Sequence, residues 1–384
     1  NDLVQYELVG RRKDWEDLEQ KLADDARPLF ILGYGGLGKT RMAAELARAS
    51  ERFPDGAVWH FVSDISSPLG LLEQMARHLE LEPNTPTDQI IHKFCAKQAL
   101  IVLDNAESVK DAQAYRDFLG KLDSSNGVRV VLTSRQRWPI YKNTQVQKHE
   151  LSAMGAEEAL ILLERMLDVA RPDFMPTPEQ RRLLAQACRH HPRLMEFAVD
   201  LLDVKPVDSV IEELQSLKGH TAEEALEEMV FRSLEQMRAQ ELGEKARKAL
   251  DVLVVCRGGF TEDAAKALLS DHPLATIILG DTNQNPLLQL LQLMKELMQA
   301  QGVPMDGDTD GLIPLKRWNF LRVEGERYTI PLLIRDAIEH LGSTPPDAHQ
   351  RHFQYYYHWA KEVDADQKDA GRFARMDAEA ENLA

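Results

Sequence analysis

The chain has 384 residues, of which 43% are hydrophobic and 28% are charged, and this composition excludes disordered and collagen-like classes. Its 46 basic and 62 acidic residues give a net charge of −16, and a surface this acidic repels phosphate backbones, so we expect no general binding to nucleic acids or anionic membranes. The longest apolar runs fall far short of the roughly 20 residues that span a bilayer.

The first 150 residues alternate short apolar runs with amphipathic segments. The runs are mostly continuous and β-branched, which is typical of parallel strands covered on both faces. They lie at 29–32, 57–62, 99–103 and 128–132, with a fifth near 146–151, and segments with helical spacing lie at 39–52, 69–81 and 87–97. This alternation predicts an α/β domain with a doubly wound parallel sheet, which we place at 1–152.

The strand pattern ends near residue 155. Thr177-Pro178-Glu179-Gln180 predicts a helix start, with Thr177 as N-cap, Pro178 at the first helical position and Gln180 completing a capping box. Further helices are predicted at 157–167, 193–203 and 207–217. We therefore assign 153–220 to an all-α helical domain.

The pattern changes again after residue 221. Helices are predicted at 222–240, 243–256 and 261–269, followed by a Leu-rich segment at 286–301 and by a helix end and hairpin at 315–330, with Glu324-Gly325-Glu326 as the turn. Helices that end in a two-stranded hairpin are typical of a winged-helix domain, which we place at 221–345. The tail at 346–384 is helical and aromatic.

The most specific motif is Gly33-Tyr34-Gly35-Gly36-Leu37-Gly38-Lys39-Thr40, a full match to G-x-x-x-x-G-K-[ST]. It follows a predicted strand and opens a predicted helix. The glycines let backbone N–H groups wrap phosphates, and the helix N-terminus adds positive dipole. Lys39 is expected to reach the β- and γ-phosphates, and the Thr40 hydroxyl to bind Mg²⁺. The motif predicts a P-loop nucleotide site.

Two other strand ends carry candidate side chains. Ile101-Val102-Leu103-Asp104 ends a strand in an acid, as in the Walker B arrangement that holds Mg²⁺. The next residue is Asn105, which cannot take a proton from water, so we expect slow hydrolysis, and Glu107 is nearby. Arg135 follows the strand at 128–132, where it could sense a γ-phosphate or form a surface salt bridge.

Together with Leu8-Val9-Gly10-Arg11 upstream, these motifs resemble the NB-ARC branch of STAND signalling ATPases, which includes plant disease-resistance proteins, apoptosome scaffolds and bacterial regulators. The resemblance covers about residues 5–345, because His191-Pro192-Arg193-Leu194 is similar to the family's Gly-x-Pro-Leu, and Gly258-Gly259-Phe260-Thr261 and 328–336 resemble its winged-helix landmarks. It implies nucleotide contacts from Val9, Gly10, Arg11, Gly33, Gly35, Gly36, Leu37, Gly38, Lys39, Thr40, Arg41 and Pro192, Mg²⁺ ligands in Thr40 and Asp104, and catalytic roles for Lys39, Asp104 and Arg135.

The sequence departs from the family at two positions. His191 replaces a Gly before Pro192, and Pro331 stands where the family has an ADP-sensing His. Proline has no side-chain donor and no N–H, so we expect ADP to be held less tightly unless Arg335 or His191 compensates.

The resemblance implies a cytoplasmic switch for signal transduction or defence, closed with ADP and opening to oligomerise with ATP. Its trigger is expected to act through C-terminal TPR-like repeats, because Glu381-Asn382-Leu383 is similar to the segment that leads into such repeats. An effector is expected before Asn1. The motifs look bacterial. The alternatives are a conventional multiple-turnover ATPase and a DNA-binding regulator that uses the winged helix, although the acidic turn opposes the latter.

Other patterns favour packing over chemistry. Cys95, Cys188 and Cys256 are far apart among apolar neighbours, which indicates buried thiols in a reducing compartment. We expect the aromatic run at 355–359 to pack between helices and not to stack on bases. We expect the tail histidines His349, His352 and His358 to be surface or packing residues and not metal ligands, and the Leu-rich segment to pack against the winged helix and not to form a partner groove.

Overall fold

A computed structural model describes residues 9–49, 51–62, 66–82, 84–122, 127–138, 145–270, 309–365, 379 and 382. The chain folds as two compact units. Unit 1 comprises the residues up to Val199 together with Val207–Glu223, and unit 2 comprises Asp200–Pro206 and the residues from Glu224 onward. The predicted Leu-rich segment at 286–301, Leu8 and most of the tail beyond residue 365 lie outside the described residues.

A five-stranded parallel sheet forms the centre of unit 1, in the order β2-β3-β4-β1-β5. The strands are β1 (Leu29–Leu32), β2 (Ala57–Phe61), β3 (Leu100–Asp104), β4 (Arg129–Ser134) and β5 (Gln147–Glu150). The parallel sheet predicted from the sequence is confirmed.

Helices cover both faces of this sheet. They are α1 (Arg12–Asp24), α2 (Lys39–Ala49), α3 (Pro68–His78), α4 (Thr87–Cys95) and α5 (Ala112–Leu119). Side chains of successive strand residues enter opposite cores, as the two-residue period requires. Ile101 and Leu103 lie in a core with residues of α3, α4 and α5, whereas Leu100 and Val102 lie in a core with residues of α1 and α2. Burial on both faces explains why these strands are continuously apolar.

The strand order brings three functional segments to one edge of the sheet. β4 lies between β3 and β1, and Leu32 at the end of β1 is paired with Ser134 at the end of β4. The segments that follow β1, β3 and β4 therefore leave the sheet side by side at its carboxyl edge, which is where open α/β sheets bind ligands.

Four helices continue unit 1, namely α6 (Ala156–Ala170), α7 (Pro178–Ala187), α8 (Pro192–Leu201), which runs into the first residues of unit 2, and α9 (Val207–Ser216). The predicted start of α7 is confirmed. The Gln180 N–H donates to Thr177 Oγ1 over 3.2 Å, and the Thr177 N–H donates to Gln180 Oε1 over 3.0 Å, which is a reciprocal capping box.

Helices α10 to α15 and three short strands form the described part of unit 2, except that α10 begins in unit 1. The elements are α10 (Ala222–Arg238), α11 (Gly243–Leu253), β6 (Phe260–Thr261), α12 (Glu262–Leu269), α13 (Leu312–Arg317), β7 (Arg322–Glu324), β8 (Arg327–Thr329), α14 (Leu332–Leu341) and α15 (Ala348–Ala365). The strands are antiparallel in the order β6-β8-β7. The hairpin turn is the predicted Glu324-Gly325-Glu326, with Gly325 in the left-handed region at φ +58°.

Pro331 lies immediately before α14. Its carbonyl oxygen accepts hydrogen bonds from the N–H groups of Ile334 and Arg335, over 2.9 and 3.1 Å. The Arg335 guanidinium donates to the carbonyl oxygens of Cys256 and Arg257, over 3.2 and 3.3 Å. The Arg335 side chain therefore stabilises the interior of unit 2.

Several of the residues expected to pack are buried, whereas Tyr357 and His349 are exposed. All three cysteines are buried free thiols. Tyr355 and Tyr356 on α15 are buried, and burial raises the pKa of Tyr355 to about 12. No helix in the described part of the chain combines the length and apolarity needed to cross a bilayer.

Candidate functional site

The glycine loop leaves β1 at Gly33 and enters α2 at Lys39. Gly36 and Gly38 adopt left-handed conformations, with φ of +75° and +95°, which other residues adopt only with strain. A Cβ atom on Gly36 would lie 2.5 Å from Cβ of Arg193 and 2.8 Å from Cε1 of His191, whereas a Cβ on Gly38 would meet nothing within 4 Å. Glycine is thus required at Gly36 by contact as well as by conformation, and the loop is open beside Gly38.

The ammonium group of Lys39 folds back over the loop. Its Nζ donates to the carbonyl oxygens of Gly33 and Tyr34, each over 2.8 Å. Burial lowers the pKa of Lys39, and the charge of Arg135 lowers it further, whereas the carboxylates of the site raise it. Those carboxylates belong to Glu107, Glu223 and Asp104.

Thr40 and Asp104 meet directly, although they are 64 residues apart. Thr40 Oγ1 donates to Asp104 Oδ1 over 2.8 Å, and Thr133 Oγ1 on β4 donates to the same oxygen. Asp104 is only 5% exposed, and burial raises the pKa of its carboxyl. A hydroxyl oxygen and a carboxylate oxygen beside a phosphate-binding loop are the hard ligands that Mg²⁺ prefers, so the residues present fit a magnesium ion.

The Asn105 side chain bonds to the segments that follow β2 and β3. Its backbone is left-handed, with φ +62° and ψ +41°, a conformation in which Asn is enriched. Its Nδ2 group donates to Ser108 Oγ over 2.6 Å and to the Val62 carbonyl oxygen over 3.3 Å. The side chain therefore holds the turn after β3.

Arg135 lies at the end of β4, beside both Glu107 and the glycine loop. Its Nε is 3.5 Å from Glu107 Oε1, and its backbone N–H donates to Glu107 Oε2 over 3.2 Å. A Cβ on Gly35 would lie 3.3 Å from its Nη2. The guanidinium group is thus at the loop and also in an ion pair with Glu107.

Arg11 connects the segment before α1 to the glycine loop. The side chain is buried, and its Nη2 donates to the carbonyl oxygens of Leu37 and Ser152, over 3.2 and 2.7 Å. Arg11 also pairs with Asp14 at 3.2 Å. Its guanidinium therefore fixes backbone around the loop.

The other predicted contact residues differ in exposure. Val9 is half-buried, and Gly10 is left-handed at φ +70°, where a Cβ would collide with Glu158 Cβ at 2.6 Å. The Leu37 side chain is in the core beneath the sheet. Arg41 on α2 is half-buried, and burial lowers its pKa.

Pro192 is the first residue of α8, and the buried His191 before it touches the glycine loop. His191 Nε2 donates to the Gly35 carbonyl oxygen over 2.9 Å, and the Leu194 N–H donates to Nδ1 over 3.3 Å. This pattern requires the neutral tautomer with its proton on Nε2. Burial lowers the pKa of His191, which favours the same neutral form.

The sequence did not identify three residues that the fold brings to the site: Thr133 at Asp104, His191 as a loop contact in its own right, and Glu223, whose carboxylate accepts the Gly35 N–H. Thr133 could have been noticed, because it lies at the end of a buried strand next to Ser134 and Arg135. His191 and Glu223 are 156 and 188 residues from Gly35, and no local pattern indicates such contacts.

The tail histidines form no metal site. The His352 ring packs against Tyr356 at a tilt of 49°, with 4.7 Å between ring centroids, and His358 Nδ1 donates to the Gln354 carbonyl oxygen over 2.7 Å. Across the residues that the structure describes, no three His, Cys, Asp or Glu side chains converge as metal ligands.

Comparisons with known proteins give one family match and several similar proteins. Residues 11–170 match the NB-ARC domain family. Two proteins named "Putative HTH-type transcriptional regulator", from Mycobacterium bovis and from Mycobacterium tuberculosis H37Rv, are each 25% identical over 370 residues, which is 93% of this chain and 39% of theirs. The chain thus spans well under half the length of these curated relatives.

A solved structure has a similar fold. It is a STAND protein with a tetratricopeptide repeat sensor from Pyrococcus horikoshii, with a TM-score of 0.51 and 17% sequence identity, and the match covers 98% of this chain and 48% of that one.

Proposed function

We propose that this chain, whose residues 11–170 match the NB-ARC domain family, is a STAND-class ATPase that acts as a molecular switch operated by ADP and ATP with Mg²⁺. One observation carries the proposal. Thr40 Oγ1 and Asp104 Oδ1 lie 2.8 Å apart beside a glycine loop that also carries Lys39. These groups are the ones that hold a magnesium nucleotide in P-loop proteins.

The residues divide the binding work by their chemistry. The N–H groups of the glycine loop would cradle phosphates, the Lys39 ammonium would bind the β- and γ-phosphates, and Thr40 and Asp104 would hold Mg²⁺. Bound Mg²⁺ would neutralise charge on the phosphate oxygens. Arg135 at the end of β4 is proposed to respond to a γ-phosphate. The nucleotide contacts of Val9, Gly10, Arg11, Leu37, Arg41 and Pro192 stay part of the proposal.

Slow hydrolysis fits a switch better than a metabolic ATPase. An amide cannot act as a general base, and the Asn105 amide is already hydrogen-bonded to Ser108 and Val62. Glu107, the next acidic residue after Asp104 in the sequence, is held by the backbone N–H and the guanidinium group of Arg135. Neither residue is placed to activate water rapidly.

The remaining assignments follow from the resemblance. We propose a P-loop domain at 1–152, a helical domain at 153–220, a winged-helix domain at 221–345, and a helical linker or the start of a repeat sensor domain at 346–384. ADP would favour a closed form and ATP an open, self-associating form. We further propose a cytoplasmic location, an effector upstream and a trigger that acts through C-terminal repeats.

A DNA-binding regulator is the second candidate, because the mycobacterial relatives carry that name. The turn between β7 and β8 is Glu324-Gly325-Glu326, and the chain has a net charge of −16. Both oppose contact with a phosphate backbone. A filter-binding assay with duplex DNA at physiological salt separates the two candidates.

Lys39→Ala tests the switch proposal. The variant loses a charge-assisted bond to phosphate, worth about 1.5–3 kcal/mol or about 10- to 150-fold in affinity. We expect wild-type protein to carry ADP or ATP after purification and the variant to lose it, as measured by mass spectrometry of the denatured proteins. Lys13→Ala, which removes an exposed lysine on α1, is the matched control. Equal nucleotide content in wild type and Lys39→Ala would refute the assignment.

A further inference from the structure

Glu223 places a carboxylate on the glycine loop. The Gly35 N–H donates a hydrogen bond to Glu223 Oε1, and a Cβ on Gly35 would lie only 2.8 Å from that oxygen. Glu223 is in the first turn of α10, and both residues belong to unit 1. A negatively charged oxygen therefore accepts from one of the N–H groups of a loop built to wrap phosphates.

The position of Glu223 along the loop is defined by Lys39. The Lys39 ammonium contacts the carbonyl oxygens of Gly33 and Tyr34, the two residues before Gly35. The lysine of this motif reaches the β- and γ-phosphates. Glu223 therefore lies at the end of the loop that takes the terminal phosphate.

A phosphate at this end meets two obstacles. A phosphate oxygen and the Glu223 carboxylate compete for the same Gly35 N–H, because a donor of this kind satisfies one strong acceptor. Like charges at such distances also repel, and partial burial strengthens the repulsion. Both obstacles are greater for a triphosphate than for a diphosphate, since the additional phosphate is the one that reaches this end.

We infer that Glu223 is a specificity-determining residue of the P-loop site, which disfavours nucleoside triphosphates relative to diphosphates. This inference rests on the proposed nucleotide function. Because α10 continues without a break from Glu223 to Arg238, the residue that a triphosphate must displace is in the first turn of a 17-residue helix. Binding of the terminal phosphate is thereby linked to the start of α10.

The test compares nucleotide preference in charge-neutral variants of the full chain. Glu223→Gln keeps the side-chain size and an oxygen acceptor for Gly35 but removes the charge, and Glu223→Ala removes both. Glu227→Gln, at an exposed position one turn further along α10, is the matched control. Dissociation constants for ADP and for the β,γ-imido analogue of ATP are measured by calorimetry with Mg²⁺ on protein stripped of nucleotide.

We expect the ratio of the ATP-analogue constant to the ADP constant to fall about 10- to 150-fold in Glu223→Gln, the range set by one charge-assisted interaction, and to stay unchanged in Glu227→Gln. Glu223→Ala should shift the ratio in the same direction. A ratio within twofold of wild type in both Glu223 variants, or weaker binding of the ATP analogue to both, would overturn the inference while leaving the proposed function intact. Failure of wild-type protein to bind either nucleotide would overturn both.

Discussion

His191 offers a sensitive test of how the glycine loop is held. Its Nε2–H bonds to the Gly35 carbonyl oxygen, and its Nδ1 accepts from the Leu194 N–H in the first turn of α8. In a trans peptide the C=O and the following N–H point in opposite directions. By fixing the Gly35 oxygen, His191 therefore also fixes the direction of the Gly36 N–H, which is one of the N–H groups proposed to bind phosphate.

The cost of losing this side chain follows from its two bonds. A buried neutral hydrogen bond contributes about 0.5–1.5 kcal/mol, and the bond to Leu194 acts as a helix N-cap worth about 1 kcal/mol. His191→Ala should thus destabilise the loop and α8 by about 1.5–2.5 kcal/mol together. If ADP binding has to restore the ordered conformation of the loop and of α8, this free energy is lost from binding, and ADP affinity falls by at most about 10- to 70-fold.

A matched pair of variants separates the two bonds. Gln can replace the Nε2–H donor, so His191→Gln should retain the bond to Gly35 and most ADP affinity. Asn can replace only the Nδ1 acceptor, so His191→Asn should keep the cap of α8 but release the loop as His191→Ala does. Hydrogen exchange of peptides covering residues 33–40 should increase in His191→Ala and His191→Asn but not in His191→Gln. Equal exchange and equal ADP affinity in wild type and the three variants would refute the conclusion that His191 holds the glycine loop.

The same contact has a defined pH dependence. Burial lowers the pKa of His191 from its ordinary value of 6.5, so the unfolded chain binds the proton more strongly than the folded one. The stabilisation is complete above about pH 6.5 and is lost as pH falls from there toward the lowered folded pKa. Loop protection in wild type should decrease over that range, and the decrease should be smaller in His191→Gln.

Two further predictions concern the end of β3. Asp104→Asn keeps an oxygen for its two threonine partners but removes the charged ligand proposed for Mg²⁺. The Mg²⁺ affinity of the ADP complex should therefore fall about 10- to 100-fold, so that ADP affinity should differ little between Mg²⁺ and EDTA. Because burial raises the folded pKa of Asp104, wild type should gain stability relative to this variant as pH falls toward 3.8, as measured by thermal unfolding without Mg²⁺; a gap independent of pH would contradict this. Asn105→Asp should cost about 1–3 kcal/mol, because it loses the donors to Ser108 and Val62, and should not accelerate single-turnover hydrolysis; a tenfold faster rate would show that the side chain can reach the nucleotide.

Much of unit 1 could be predicted because its determinants are local. Continuous apolar runs predict buried parallel strands, and Thr177 with Gln180 marks a helix start within four residues. The glycine loop likewise carries its own signature, since backbone conformation and phosphate binding impose the residue types at fixed spacing. The pairing of Thr40 with Asp104 could be anticipated only because both follow from motifs at the ends of strands.

The charges around the loop could not be predicted, because they depend on long-range contacts. The sequence indicated Asn105 as the residue that limits hydrolysis, but gave no sign that its amide holds the turn through Val62 and Ser108. The sequence allows Arg135 to be either a phosphate sensor or a salt-bridge partner. In the fold it forms an ion pair with Glu107 and also lies near Gly35. Both outcomes depend on which side chains share the carboxyl edge of the sheet.

The peptide groups of Gly35 unite these observations. Its carbonyl oxygen is held by His191 before α8, and its N–H is held by Glu223 at the start of α10. Both residues lie beyond residue 170, where the match to the NB-ARC domain ends. The motif supplies the phosphate-binding backbone, but the groups that fix one of its peptides and set the charge beside it come from later helical segments of unit 1. We therefore propose that nucleotide preference in this chain depends on the loop together with those segments, because a fragment that ends at residue 170 would lack both the His191 and the Glu223 contacts.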